Sequence, residues 1–105
     1  MGIIYDYVHE NYHEKPNVHD IAHAVHLTTG AFCRYFKKQT NITFTAFVNK
    51  YRISQAKTFL LQNSSVSEVC YNVGFDNIPY FCALFKKIVG DTPTNFKKKF
   101  SNIPS

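Results

Sequence analysis

The sequence has no tryptophan, and its single methionine is residue 1. Acidic residues number 7 against 12 Lys and Arg, a formal net charge of +5. So few carboxylates, most of them at expected helix ends, leave little for paired general acid–base chemistry. Cysteine is scarce and odd in number: Cys33, Cys70 and Cys82 show no close pairing pattern, and reduced thiols fit best. No signal peptide is expected, and no apolar run is long enough to span a bilayer, because Lys, Arg or Asn interrupts each stretch. No alternating strand pattern, Gly-rich phosphate loop, Ser-His-Asp order or low-complexity segment is present.

What is abundant is aromatic and apolar. Ten Phe and seven Tyr sit within a chain of 105 residues that is 45% hydrophobic, enough for one domain with its own core. Most of those rings are expected inside, because so small a surface cannot carry them all. The positive charge favours a polyanionic partner without identifying it.

The main organising feature is a repeat. Residues 21–47 and 69–96 align with one extra residue in the second copy. Ile21 pairs with Val69, Ala22 with Cys70, Val25 with Val73 and Leu27 with Phe75; then Phe32-Cys33 with Phe81-Cys82, Phe36-Lys37-Lys38 with Phe85-Lys86-Lys87, Thr43 with Thr92 and Phe47 with Phe96. Each copy has the form helix, tight turn, helix, which predicts an all-α chain with two helix-turn-helix units.

Taken in order, the apolar spacing predicts a first helix over 3–13, carrying Ile3, Ile4, Tyr7, Val8 and Tyr12. Asn17 is the expected cap of a second helix with Val18, Ile21, Ala22 and Val25 on its buried stripe. His26-Leu27 forms the turn, and Thr28 caps a third helix that packs Phe32, Tyr35 and Phe36 inward. Asn41 suits a left-handed helix end. Thr43 caps a long fourth helix from Phe44 to about Gln62, apolar on more than one face and about 27 Å long. Ser65 with Glu68 forms a capping box for the fifth helix. Gly74 supplies the second turn, Asp76 caps the sixth helix, Gly90 ends it, and Pro93 opens the seventh.

Two constellations compete with a binding role. His9-Glu10-Asn11-Tyr12-His13 matches the H-E-x-x-H pattern of zinc hydrolases, and His19 and His23 repeat its spacing. It falls at the end of a short helix with no third ligand evident, so the favoured reading is a solvated polar face that holds no metal. Cys33 and Cys82 occupy equivalent repeat positions; a small half-buried residue outweighs a redox switch, since neither has a resolving partner in view. The lysines are more informative. Lys37, Lys38, Lys86 and Lys87 end the third and sixth helices, Lys50 lies on the fourth and Lys97 on the seventh, where phosphate contacts would require them.

The ordered pattern of Ile21-Ala22, Val25, Leu27, Phe32, Arg34 to Lys38, Arg52-Ile53, Ala56 and Leu60, followed by Val69, Val73-Gly74-Phe75, Tyr80-Phe81, Phe85 to Lys87, Gly90 to Pro93 and Phe96, resembles the DNA-binding domain of AraC/XylS transcription regulators over about residues 3–100. The resemblance implies seven helices: a first helix-turn-helix subdomain over about 3–42, a linker helix over about 43–62 and a second subdomain over about 65–100. It implies that the third and sixth helices enter successive major-groove segments, roughly 34 Å apart. Base-facing positions carried over are Thr29, Gly30, Cys33 and Arg34 in the first half, and Asn77, Ile78, Pro79, Cys82 and Ala83 in the second. Phosphate contacts fall at Thr28, Lys37, Lys38, Lys50, Lys86, Lys87 and Lys97. Arg34 is the one strong base reader, and Ala83 stands at its counterpart, so hydrogen-bonded readout is expected mainly from the first half. His26 departs from the family's usual glycine, which predicts a strained or reshaped first turn.

The implied function is sequence-specific double-stranded DNA binding that regulates transcription, in the bacterial cytoplasm at the nucleoid. It requires no enzyme activity and no cofactor. RNA polymerase and a ligand-sensing or dimerisation domain are the further partners the family implies, with no membrane. A helical protein-interaction module and a zinc hydrolase on His9, Glu10 and His13 are the alternatives.

Overall fold

Phenylalanine and tyrosine separate in the folded chain. Seven Phe (32, 36, 44, 75, 81, 85 and 96) are buried, whereas no Tyr is. The expectation that most rings pack inside therefore holds for phenylalanine and fails for tyrosine, whose hydroxyl needs a partner or water. The structure, a computed structural model, describes residues 2–14, 18–62 and 64–101. The expected Asn17 cap lies outside them.

Seven helices are present and, among the described residues, no strand: α1 (Gly2–Asn11), α2 (Val18–Ala24), α3 (Thr29–Thr40), α4 (Phe44–Leu61), α5 (Val66–Asn72), α6 (Ile78–Val89) and α7 (Pro93–Ser101). α1 ends two residues short of the expected 13, because Asn11 turns its side chain back onto the Tyr7 carbonyl at 2.9 Å and competes with the helix. The chain forms two compact units, Met1–Tyr51 and Arg52–Ser105, with α4 beginning in one and ending in the other.

In the first unit Ile4 and Val8 of α1, Ile21 and Ala22 of α2, Phe32 and Phe36 of α3, and Phe44 and Val48 of α4 form one core. In the second, Ile53, Ala56 and Leu60 of α4 belong with Val69, Val73, Phe75, Phe81, Phe85 and Phe96 among the buried residues. The repeat is visible in ring geometry. Phe32 and Phe36 have centroids 5.9 Å apart, as do Phe81 and Phe85. Phe36 meets Phe47 edge-on at 5.3 Å and 72°, and Phe85 meets Phe96 at 5.5 Å and 73°. Edge-to-face pairs at these distances are favourable beyond their area burial.

Helix ends follow the capping chemistry. Thr28 Oγ1 accepts from the Ala31 N–H, and Asn41 ends α3 at φ 64°. Thr43 and Thr92 accept from the Ala46 and Asn95 N–H groups in the same way. Ser65 Oγ accepts from the Glu68 N–H and donates to the Glu68 carboxylate at 3.1 Å. One cap differs from expectation: α6 is capped by Asn77, whose Oδ1 accepts from the Tyr80 N–H at 2.8 Å, and not by Asp76. The two residues are adjacent and both suit a cap, so composition alone could not separate them.

Candidate nucleic-acid interface

Both helix-turn-helix turns close with the same hydrogen bonds. The Leu27 N–H donates to the Ala22 carbonyl at 2.9 Å, and at the equivalent place the Phe75 N–H donates to the Cys70 carbonyl at 3.0 Å. His26 takes φ 61° and Gly74 φ 104°. His26 is thus held left-handed where its counterpart is glycine, and the turn keeps its hydrogen-bond pattern at a conformational cost of about 1–2 kcal/mol. One residue later the two turns differ in burial: Leu27 is 37% exposed, Phe75 only 6%. α2 packs on α3 and α5 on α6, so each turn aims the following helix.

On α3 the buried Phe32 and Phe36 fix the inward stripe. Thr29, Gly30, Cys33, Arg34 and Lys37 then fall on the exposed side. The Arg34 guanidinium lies along the first turn: a Cβ added at Gly30 would sit 3.4 Å from its Nη1. The arginine thus reaches back toward the N-terminus of α3, and a Cβ at residue 30 would meet it at ordinary van der Waals distance. Tyr35, expected inside, is 40% exposed and lines an apolar depression with Ile3, Val25 and Leu27. It flanks the Phe32–Phe36 stripe, and a tyrosine there keeps its hydroxyl wet.

On α6, Phe81 and Phe85 play the same inward role. Asn77, Pro79 and Ala83 are exposed, while Ile78 and Cys82 are half-buried. Tyr80, part of the family pattern but not among the expected base-facing residues, is 50% exposed beside Ala83, Leu84 and Lys87. Its counterpart in the repeat is Ala31, so the alignment that finds the helix carries no sign of it.

Thr28, Lys37, Lys38, Lys50, Lys86 and Lys87 are exposed. Lys37 and Lys38 occupy the last turn of α3, Lys86 and Lys87 that of α6, where cations also complement the helix dipole. Lys97 is different. It is half-buried, and its Nζ donates to the Ser64 carbonyl at 2.8 Å. That bond ties α7 to the segment before α5.

Among titratable groups, burial pushes the Cys70 thiol above its ordinary value, with Cys82 and Asp76 adding to the shift. Burial likewise raises Tyr51, helped by Tyr5. A buried thiol held protonated is a poor nucleophile. The H-E-x-x-H pattern does not assemble: His13 lies beyond the end of α1 and pairs with Glu14 at 3.8 Å, while His9 Nδ1 is hydrogen-bonded to the Tyr51 hydroxyl. No group of three potential ligands is found among the described residues.

These two exposed, lysine-flanked helices define a helix-turn-helix protein. A helix-turn-helix domain family profile matches residues 21–99, and the chain belongs to that family, in its AraC-type branch. It is 41% identical over 100 residues to an uncharacterised helix-turn-helix-type transcriptional regulator of Bacillus subtilis, a match covering 93% of this chain and 34% of that protein. The chain thus spans about a third of that relative's length. Among solved structures, the C-terminal domain of a two-component response regulator from Fusobacterium nucleatum superposes with TM-score 0.81 at 26% identity, covering 91% of this chain and 95% of that one. A regulator from Chromobacterium violaceum with an AraC-type DNA-binding domain shares the fold with TM-score 0.88 at 19% identity, covering 98% of this chain and 93% of that one. No described helix is long and apolar enough to cross a membrane.

Proposed function

We propose that the chain binds double-stranded DNA sequence-specifically and so regulates transcription, with α3 and α6 as its two major-groove helices. The observation that carries this reading is the duplicated turn. Leu27–Ala22 and Phe75–Cys70 close the same hydrogen bond, and each turn leads into an exposed helix ending in a Lys pair. Thr29, Gly30, Cys33 and Arg34 face bases in the first unit, and Asn77, Ile78, Pro79, Cys82 and Ala83 in the second. Arg34 supplies paired donors suited to a guanine edge. Ile78, Pro79 and Ala83 offer apolar contact, for which thymine methyls are the fitting partners. Hydrogen-bonded selectivity therefore rests mainly on the first unit, and the second holds DNA through backbone and shape.

Thr28, Lys37, Lys38, Lys50, Lys86 and Lys87 serve as phosphate contacts. Lys97 joins them, its Nζ also donating to the Ser64 carbonyl. The chain works without catalysis or a cofactor, in the bacterial cytoplasm where the chromosome lies. RNA polymerase and a ligand-sensing or dimerisation domain are its further partners; the greater length of the relatives supports the second.

Selection of bound sequences from a random duplex pool, followed by titration of the winner across salt concentrations, tests the reading. An enriched sequence and a steep salt slope are expected. Arg34→Ala should relax selectivity at one base pair, and removing Lys37 and Lys38 together should make the slope shallower by about 0.9 for each phosphate no longer neutralised. Binding without any enriched sequence would overturn it.

A further inference from the structure

His19 and Thr29 meet across the first helix-turn-helix. His19 Nδ1 lies 3.2 Å from Thr29 Oγ1, linking the first turn of α2 to the first residue of α3. Both side chains are exposed. A threonine hydroxyl has one proton to give and lone pairs to accept with, and an imidazole nitrogen is either a bare acceptor or an N–H donor. The two polarities are coupled. When Nδ1 carries a proton it donates to Thr29, and the hydroxyl proton is left to point outward. When Nδ1 is bare, the hydroxyl proton is held by the ring and only lone pairs face out.

Those two faces suit different bases in the major groove. An outward donor matches guanine N7 or O6, adenine N7 or thymine O4; an outward acceptor matches the amino group of adenine or cytosine. We propose that His19 is a positioning residue for base readout: through its hydrogen bond it sets the polarity of the Thr29 hydroxyl, and with it the base edge that the start of α3 accepts. The inference rests on the reading of α3 as a base-contacting helix. It belongs to the first unit alone, since the aligned positions in the second are Ser67 and Ile78, and isoleucine has no polarity to set.

Because the imidazolium donates from both nitrogens, lowering the pH commits Thr29 to the outward-donor state. Other titratable or charged groups on these two elements and the turn between them are Asp20 and His23 on α2, His26 in the turn, and Cys33, Arg34, Tyr35 and the Lys37–Lys38 pair on α3. Protonation of any histidine raises affinity for every duplex alike. The His19–Thr29 pair would instead change the preference between duplexes, at the base pair Thr29 faces.

The test is selection from a random duplex pool with the full chain at an acid pH of about 5.5 and an alkaline pH of about 8. The expected result is one base pair in the first half-site whose preference moves by about five- to tenfold between the two pH values. Thr29→Val should abolish that change at the same base pair. His19→Gln, which can both donate and accept, should make the preference there weak and independent of pH, and the double variant should add nothing to Thr29→Val. Circular dichroism shows whether each variant is folded, and His19→Ala serves as a second removal of the ring. Sequence-selective binding whose preferences are the same at both pH values, or unaltered in folded His19 variants, would overturn the inference and leave the DNA reading intact. Absence of any selected sequence would overturn both.

Discussion

The guanidinium carbon of Arg52 stands 5.3 Å from the ring centroid of Phe75. Arg52 is on α4 and is 9% exposed; Phe75 is the last hydrogen-bonded residue of the second turn. Burial lowers the arginine's pKa, and the nearby Asp76 and Tyr80 work in the opposite direction. The charge is therefore kept inside against an aromatic face, with Asp76 and Tyr80 near enough to favour it. This arrangement ties α4 to the element that aims α6.

Removing it should cost stability. A desolvated cation–π contact contributes about 2 kcal/mol, and the arginine stem adds packing. Arg52→Ala is expected to destabilise by about 2–4 kcal/mol, read as a lowered urea midpoint. Arg52→Lys keeps the charge but loses the planar group that lies over the ring, and should recover less than half of the loss. Full recovery by lysine would show that charge alone, not stacking, holds the site.

The two turns allow a comparison within one molecule. His26 sits at φ 61° and Gly74 at φ 104°, with matching hydrogen bonds around them. Glycine relieves a left-handed cost of about 1–2 kcal/mol and gives back about 0.5–1 in unfolded-chain entropy. His26→Gly should therefore stabilise by about 0.5–1 kcal/mol. Gly74→Ala should destabilise by about 1–3 kcal/mol, since an L side chain rarely adopts that φ. Equal and small effects at the two positions, measured by thermal unfolding, would mean the turns tolerate strain in ways their backbone angles do not express.

Those turns also mark where the sequence is a good guide to the fold and where it stops. Helix order, the capping residues Thr28, Thr43, Ser65 and Thr92, and the aromatic stripes all follow from local chemistry that repeats at fixed spacing. Phe32 and Phe36 had to face inward once Phe81 and Phe85 were aligned with them. The misplacements came where one residue has two acceptable environments. Tyr35 could bury its ring or wet its hydroxyl, and it does the second. Asp76 and Asn77 could each cap α6. The site was legible as a face but not as a network. His19 touches Thr29 across a turn, and Arg52 meets Phe75 over more than twenty intervening residues; no periodicity encodes either meeting.

Asn77 separates stability from recognition most sharply. Its Oδ1 caps α6 through the Tyr80 N–H at 2.8 Å, while the amide NH2 on the same side chain is the part suited to contact DNA. Asn77→Ala loses both, with about 1 kcal/mol of stability going with the cap. Asn77→Asp keeps the acceptor and places a negative charge at a helix N-terminus, where it is favourable by about 0.3–1 kcal/mol. Its folded state should accordingly be as stable as the parent or slightly more so. The same carboxylate would stand against the phosphate backbone and could no longer donate to a base, so affinity for the selected duplex should fall about tenfold, with a larger loss at low salt. Thermal unfolding and a salt-dependent binding titration on the one variant measure both quantities. A stable Asn77→Asp variant that binds DNA as the parent does would remove Asn77, and with it the first turn of α6, from the interface.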